Sequence, residues 1–175
     1  MGEHKVYTDA DEAHLREFTK AVLCDLHVLE DMLAAGKFET GISRIGAEQE
    51  MFLVDSAMHP VAYSTQLIAE AGDERLTTEI GQFNLEANLT PLEFKGDCLR
   101  RLETEINEII GEVRSHMAGR CGDVVLCGIL PTIQESDLVE KNLTPGPRYA
   151  QLNKVLTALH GEERLVHIKG LDEIR

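Results

Sequence analysis

The stretch that most constrains this chain is residues 82–94, QFNLEANLTPLEF. Phe83, Leu85, Ala87 and Leu89 alternate with Gln82, Asn84, Glu86, Asn88 and Thr90. A period of two puts each set on its own side of a β-strand. The stretch therefore reads as a half-buried strand with one polar face, the habit of antiparallel sheets. A second stretch, RIGAEQEMFLVD at 44–55, is also strand-like. It places Gly46, Glu48 and Glu50 on one side and Ile45, Ala47 and Met51 on the other. Like charges side by side on a sheet repel. Either that face is open to water, or something positive lies between the glutamates.

If the two strands pair antiparallel through their core faces, Glu48, Glu50 and Glu86 share one polar face with Asn84 and Asn88. Carboxylates with amide neighbours and no nearby lysine suit a hard cation. Mg²⁺ and Mn²⁺ prefer carboxylate and water oxygens, and proteins usually supply only some of the ligands. A solvated acidic strand face fits the same spacing, and Glu-x-Glu alone is a weak motif.

Around these strands lie helical patterns. Residues 9–36 carry Leu15, Phe18, Val22, Leu26, Leu29 and Leu33 at steps of three and four, an apolar stripe expected to be core. Asp9 and Glu12 resemble a capping box, and Gly36 is a stop. Thr65–Ala71 reads as a short helix. A long helix follows Asp97, with Leu99, Leu102, Ile106, Ile109, Val113 and Met117 on one face. Val124–Ile129 reads as a short buried strand, Asn142–Pro147 as a loop, and Tyr149–Leu159 as a further amphipathic helix. With no repeat, low-complexity tract or linker, residues 1–175 read as one α+β domain: an antiparallel sheet with amphipathic helices packed on one face. A strand at Leu165–Ile168 runs straight into GLDEIR, which reads as a chain cut in mid-fold.

Composition narrows the function. With 17 Lys and Arg against 31 Asp and Glu, the net charge is −14, which argues against nucleic-acid binding. A metal–nucleotide ligand stays possible, because a bound cation reverses the local field. No apolar run approaches the ~20 residues that span a bilayer, and the polar start is no signal peptide, so a cytoplasmic location is expected. Cys24, Cys98, Cys121 and Cys127 form no Cys-x-x-Cys pair and read as reduced, mostly buried thiols. Asn88-Leu89-Thr90 and Asn142-Leu143-Thr144 match the glycosylation triplet, which is discounted without a secretion signal. No Gly-x-x-x-x-Gly-Lys phosphate loop exists. Arg148 suits bidentate recognition of a phosphate or carboxylate, or is a surface residue in a first helical turn. Thr90 falls at a site rim or at a plain strand end.

Several landmarks resemble one family in order and spacing over residues 40–160. Gly46-Ala47-Glu48-Gln49-Glu50 followed by Phe52-Leu53-Val54-Asp55 resembles the opening strand of the glutamate–cysteine ligase type 2 family, which includes carboxylate–amine ligases. Asn84-Leu85-Glu86 running to Thr90-Pro91 resembles its second acidic strand. Cys127-Gly128-Ile129-Leu130-Pro131-Thr132 and Arg148-Tyr149 resemble later landmarks. The resemblance implies a glutamine-synthetase-like fold whose sheet holds metal, ATP and an amino-acid carboxylate. It implies activation of a carboxylate by ATP as an acyl phosphate, then displacement of phosphate by an amine. Glu48 and Glu50 would hold Mg²⁺ or Mn²⁺ against the ATP phosphates. Glu86 would bind metal or the amino group of a glutamate-like substrate, with Asn84, Asn88, Thr90 and Arg148 as further substrate contacts. Family members are longer, so the expectation is the N-terminal part of a longer ligase domain. Exposed strand edges would then favour a homo-oligomer. Two other readings fit the residues: a non-catalytic scaffold with the same fold, and a metal-dependent hydrolase.

Overall fold

In the computed structural model, which describes residues 12–160, 168–169 and 173–174, the chain divides into two compact units. One is Val28–Thr144; the other unites Met1–His27 with Pro145–Arg175. The elements run α1 (Glu12–Ala34), β1 (Arg44–Ile45), β2 (Glu48–Asp55), α2 (Ser64–Ala71), β3 (Leu76–Thr78), β4 (Asn84–Asn88), β5 (Leu92–Glu93), α3 (Cys98–Ala118), β6 (Gly122–Val125), α4 (Pro147–His160), β7 (Ile168–Lys169) and β8 (Glu173–Ile174). The last two strands pair with each other in the second unit. Asp9 and Leu165 to His167 lie outside the described residues.

The main sheet has the order β3-β4-β2-β6 and every pairing is antiparallel. The α+β expectation holds, with helices on one face. Met51 and Leu53 of β2, Leu85 and Ala87 of β4, Leu76 of β3 and Val124 of β6 point to that face. They meet Leu102, Ile109, Ile110, Val113 and Met117 of α3 and Leu67 of α2. Most of these side chains are wholly buried. Burial of each large apolar side chain stabilises by roughly 1.5–3 kcal/mol, so this layer dominates the stability of the unit. Gly122 is required where β6 leaves α3. A Cβ there would lie 2.7 Å from the Val54 carbonyl oxygen.

Both long strands of the sequence reading break at one place. The first splits into β1 and β2 at Gly46-Ala47, and the second into β4 and β5 across Leu89–Pro91. Pro91 has no N–H to give to a ladder. The chains cross over together there: the Leu89 N–H donates to the Ala47 carbonyl at 2.9 Å, and β1 pairs with β5 as a separate small sheet.

Other expectations are corrected. The stripe of α3 begins at Cys98, not Leu99, which is 60% exposed. β6 starts and ends earlier than read, so Leu126 and Ile129 are exposed. All four cysteines are free, but Cys24 and Cys121 are exposed, while Cys98 is buried. The stripe of α1 is not core: no residue of this helix is buried. Its end is well formed, since Gly36 at φ +61° donates to Leu33 and Lys37 donates to Met32, a Schellman closure. Its stripe residues Leu15, Phe18, Val22, Leu26, Leu29 and Leu33 are all exposed. No described helix is long and apolar enough to cross a membrane.

Candidate metal centre

The polar face of the main sheet gathers carboxylates, as its alternation implies. Glu50 of β2 stands directly opposite Glu86 of β4. Glu48 stands opposite Asn88, one step further along the same face. On the other flank of β4, Thr77 of β3 is opposite Glu86, and Glu79 follows two residues later on the same side. Ligand oxygens of Glu50, Glu79 and Glu86 all lie within 4.8 Å of one another. Glu48 is on the face but outside this trio.

Glu79 is the member that sequence reading missed. Its signal is short: Leu76-Thr77-Thr78-Glu79-Ile80 carries three polar residues in a row before Gly81, and β3 itself has three residues. Glu79 lies just past the ladder, and its backbone is held instead from residues 141–144. The Thr144 hydroxyl donates to the Glu79 carbonyl oxygen, and the Thr144 N–H donates to the Ile80 carbonyl at 2.8 Å.

The second half of the same sheet face is apolar. Phe52 and Val54 follow Glu48 and Glu50 on that side of β2, and with Phe83 and Leu130 they form a second buried cluster. The Phe52 and Phe83 rings stack with centroids 6.3 Å apart. Phe83 was expected beside Leu85. It belongs to the opposite cluster because residues 81–84 form a turn, with the Asn84 N–H donating to the Gly81 carbonyl at 2.9 Å. Leu130 comes from the Gly-x-x-Pro segment after β6, which thus covers one end of the polar face.

The remaining expected residues divide. The Asn88 amide donates to Glu86 Oε1 at 2.8 Å, which fixes that carboxylate. Asn84 sits between Glu86 and Phe52's side of the face, and its side-chain oxygen is buried with no hydrogen-bond partner. Thr90 is turned to α3: its hydroxyl donates to Glu105 Oε1 at 2.8 Å, and its N–H reaches both Glu105 oxygens. Arg75 completes that group through Asp73 at 2.6 Å and Glu105 at 3.4 Å. Arg148 belongs to the other unit, with its guanidinium 5.8 Å from the Tyr149 ring centroid.

Electrostatics set Glu79 apart. Burial raises its carboxyl above the usual range, and the charges of Glu86 and Glu50 raise it further. A hydrogen bond to Glu86 acts in the same direction, since it needs one of the two groups protonated. In contrast, the Arg75 guanidinium holds Asp73 below its ordinary value. Glu105 is raised by burial, but the Thr90 and Arg75 hydrogen bonds outweigh this and leave it lowered. Arg75 therefore compensates Asp73 and Glu105, whereas Glu79 faces the like charges of Glu86 and Glu50.

A family-implied divalent cation can be tested against these donors. They are all oxygens: three carboxylates converging within 4.8 Å, beside a buried amide oxygen that has no partner. No cysteine or histidine is among the three, which disfavours zinc and fits Mg²⁺ or Mn²⁺. The residues fit the group.

No curated protein and no solved structure matches this chain. The family model for glutamate-cysteine ligase family 2 (GCS2) matches residues 44–162, which takes in both acid-bearing strands, β3 and the covering segment after β6. With more than half of its length matched, the chain belongs to glutamate-cysteine ligase family 2, and its sheet is that of a glutamine-synthetase-like fold.

Proposed function

We propose that this chain serves an ATP-dependent carboxylate–amine ligase, with Mg²⁺ or Mn²⁺ held by Glu50, Glu79 and Glu86. The observation that carries the reading is the convergence of three carboxylates on one face of a sheet that belongs to this family. Glu48 borders the trio on the same face and extends its negative field toward Asn88. When bound, the cation neutralises phosphate charge and aligns the phosphoryl oxygens for transfer.

The chain's own residues do the rest. Asn88 orients Glu86 through its Oε1. Burial and like charge keep Glu79 reluctant to ionise without a cation, so the site is electrostatically prepared for one. The Phe52, Val54, Phe83 and Leu130 cluster keeps water from one end of the face. In the net reaction, a carboxylate oxygen of a glutamate-like substrate attacks the γ-phosphorus and ADP leaves. The amine nitrogen then attacks the acyl carbon, phosphate leaves, and the nitrogen gives up a proton.

The test is ADP release from Mg²⁺–ATP and glutamate, with and without an amine such as cysteine. The ligase reading expects ADP and amide in equal amounts, both dependent on the amine. Equal phosphate release with and without the amine would instead make this a metal-dependent hydrolase. No turnover in any mixture, from folded and metal-bound protein, would favour the non-catalytic scaffold.

A further inference from the structure

We infer that residues 141–144 are a strap that positions Glu79 for the cation, and that Thr144 is its positioning residue. The inference rests on the metal site proposed above. Its ground is a dense set of hydrogen bonds between two segments far apart in sequence. Besides its bond to the Glu79 carbonyl, Thr144 contributes its N–H to Ile80. The Gln82 N–H donates to the Asn142 carbonyl at 2.7 Å. The Gln82 side-chain amide donates to the carbonyls of Lys141 and Leu143, both at 2.9 Å. Gly81 and Leu143 form an isolated antiparallel bridge.

The need for a strap follows from where Glu79 lies. β3 ends at Thr78, so the sheet ladder no longer fixes the backbone at Glu79. The side chain is repelled by Glu50 and Glu86, and an untethered segment would swing it toward water. The segment is tight from within as well. A Cβ on Gly81 would lie 2.8 Å from the Phe83 ring, so Gly81 lets the chain turn between the trio and the apolar cluster. The strap is itself anchored: the Asn142 amide donates to the Asp137 carbonyl, and Asp137 forms a capping box with Gln134. Thr144 is buried, at 7% exposure, so its hydroxyl has the Glu79 carbonyl as a dry partner. Asn142-Leu143-Thr144 resembles a glycosylation triplet, but its threonine is used inside the fold.

Residues behind metal ligands typically change affinity by roughly 10–100-fold when removed. The experiment is calorimetric titration of the whole chain with Mn²⁺ for wild type, Thr144→Val, Thr144→Ser and Ile106→Ala, with urea stability measured in parallel. Ile106 packs on the helix-covered face and serves as a control for lost stability alone. The expected result is a loss of about tenfold in Mn²⁺ affinity for Thr144→Val. Thr144→Ser should restore it to within about twofold, and Ile106→Ala should lose stability but keep wild-type affinity. If Thr144→Val fails to fold, Gln82→Leu removes two strap bonds without touching Thr144, and should weaken Mn²⁺ several-fold. Wild-type affinity in Thr144→Val, or in Gln82→Leu where that variant stands in, overturns the strap. So does an equal loss in Ile106→Ala. No Mn²⁺ binding by the wild type overturns the metal site and the strap together.

Discussion

One face of β2 has two halves with opposite chemistry. Glu48 and Glu50 lead, and Phe52 and Val54 follow at the same period on the same side. Phe52 and Val54 are buried under Phe83 and Leu130, while Glu48 and Glu50 remain exposed. The acidic half pairs with β4 and the apolar half runs on along β6, and the two halves also differ in what covers them. The apolar half gains from a lid that excludes water. The acidic half is left open because three carboxylates cannot be covered without a cation to offset their charge. The border between them falls at Asn84, whose buried oxygen has no partner. A site of this kind needs both: an open side for ligands, and a dry side that lowers the local dielectric and strengthens the field at the carboxylates.

The largest expected effect tests the covered half. Phe52→Ala should cost about 3–5 kcal/mol in urea denaturation, because it removes a ring that stacks on Phe83 and leaves a cavity. A loss under about 1 kcal/mol would mean that the apolar half is loosely covered.

The lid itself can be probed with neighbouring residues of similar size. Leu130 is 3% exposed and Ile129 is 79% exposed. Leu130→Ala should cost about 2–3 kcal/mol. Ile129→Ala should stay within about 0.5 kcal/mol of wild type. Similar losses at both positions would show that the segment after β6 is held by its backbone and not by Leu130.

A smaller effect concerns the open half and has a definite sign. Glu79 has a folded-state pKa raised by burial and by Glu86 and Glu50. Between the unfolded value and that raised value, the folded chain binds more protons than the unfolded chain. Stability from this group is therefore greatest at low pH and falls as pH rises from about 4.5 upward. Without added metal, Glu79→Gln should gain on wild type as pH rises through that window, read from paired thermal melts. Added Mn²⁺ should reverse the order at neutral pH, since only wild type binds it well. Asp73, lowered by Arg75, runs the other way: its contribution is present above about 3.9 and is lost as pH falls. A gain for Glu79→Gln that does not change with pH would contradict the raised carboxyl.

Much of this was legible in the sequence. The alternation in QFNLEANLT identified β4 and its polar side, and the Glu-x-Glu spacing put Glu48 and Glu50 on the same polar face as Glu86; the register that sets Glu50 opposite Glu86 came from the structure. The parts that were not legible have physical reasons. Glu79 follows a strand of three residues, too short for periodicity to stand out, and it is held by a segment more than sixty residues later. Phe83 fits the alternation of its strand but sits in the preceding turn, which sends it to the other face. The stripe of α1 shows which side of the helix is apolar, not whether anything covers it. Its six stripe residues are between 44% and 67% exposed, whereas Leu102, Ile109, Val113 and Met117 of the matching pattern in α3 are core. Periodicity reports a face, and only tertiary structure supplies the partner.

In the proposed site, Glu50, Glu79 and Glu86 hold one divalent cation, with Glu48 at its edge. Calorimetric titration with Mn²⁺ of wild type, Glu79→Gln and Glu48→Gln tests this most directly. Glu79→Gln should lose roughly a hundredfold or more in affinity, beyond the usual cost of removing a supporting residue, while Glu48→Gln should stay within about threefold. Wild-type affinity in Glu79→Gln together with loss in Glu48→Gln would contradict it, and would move the site to the Glu-x-Glu end of β2.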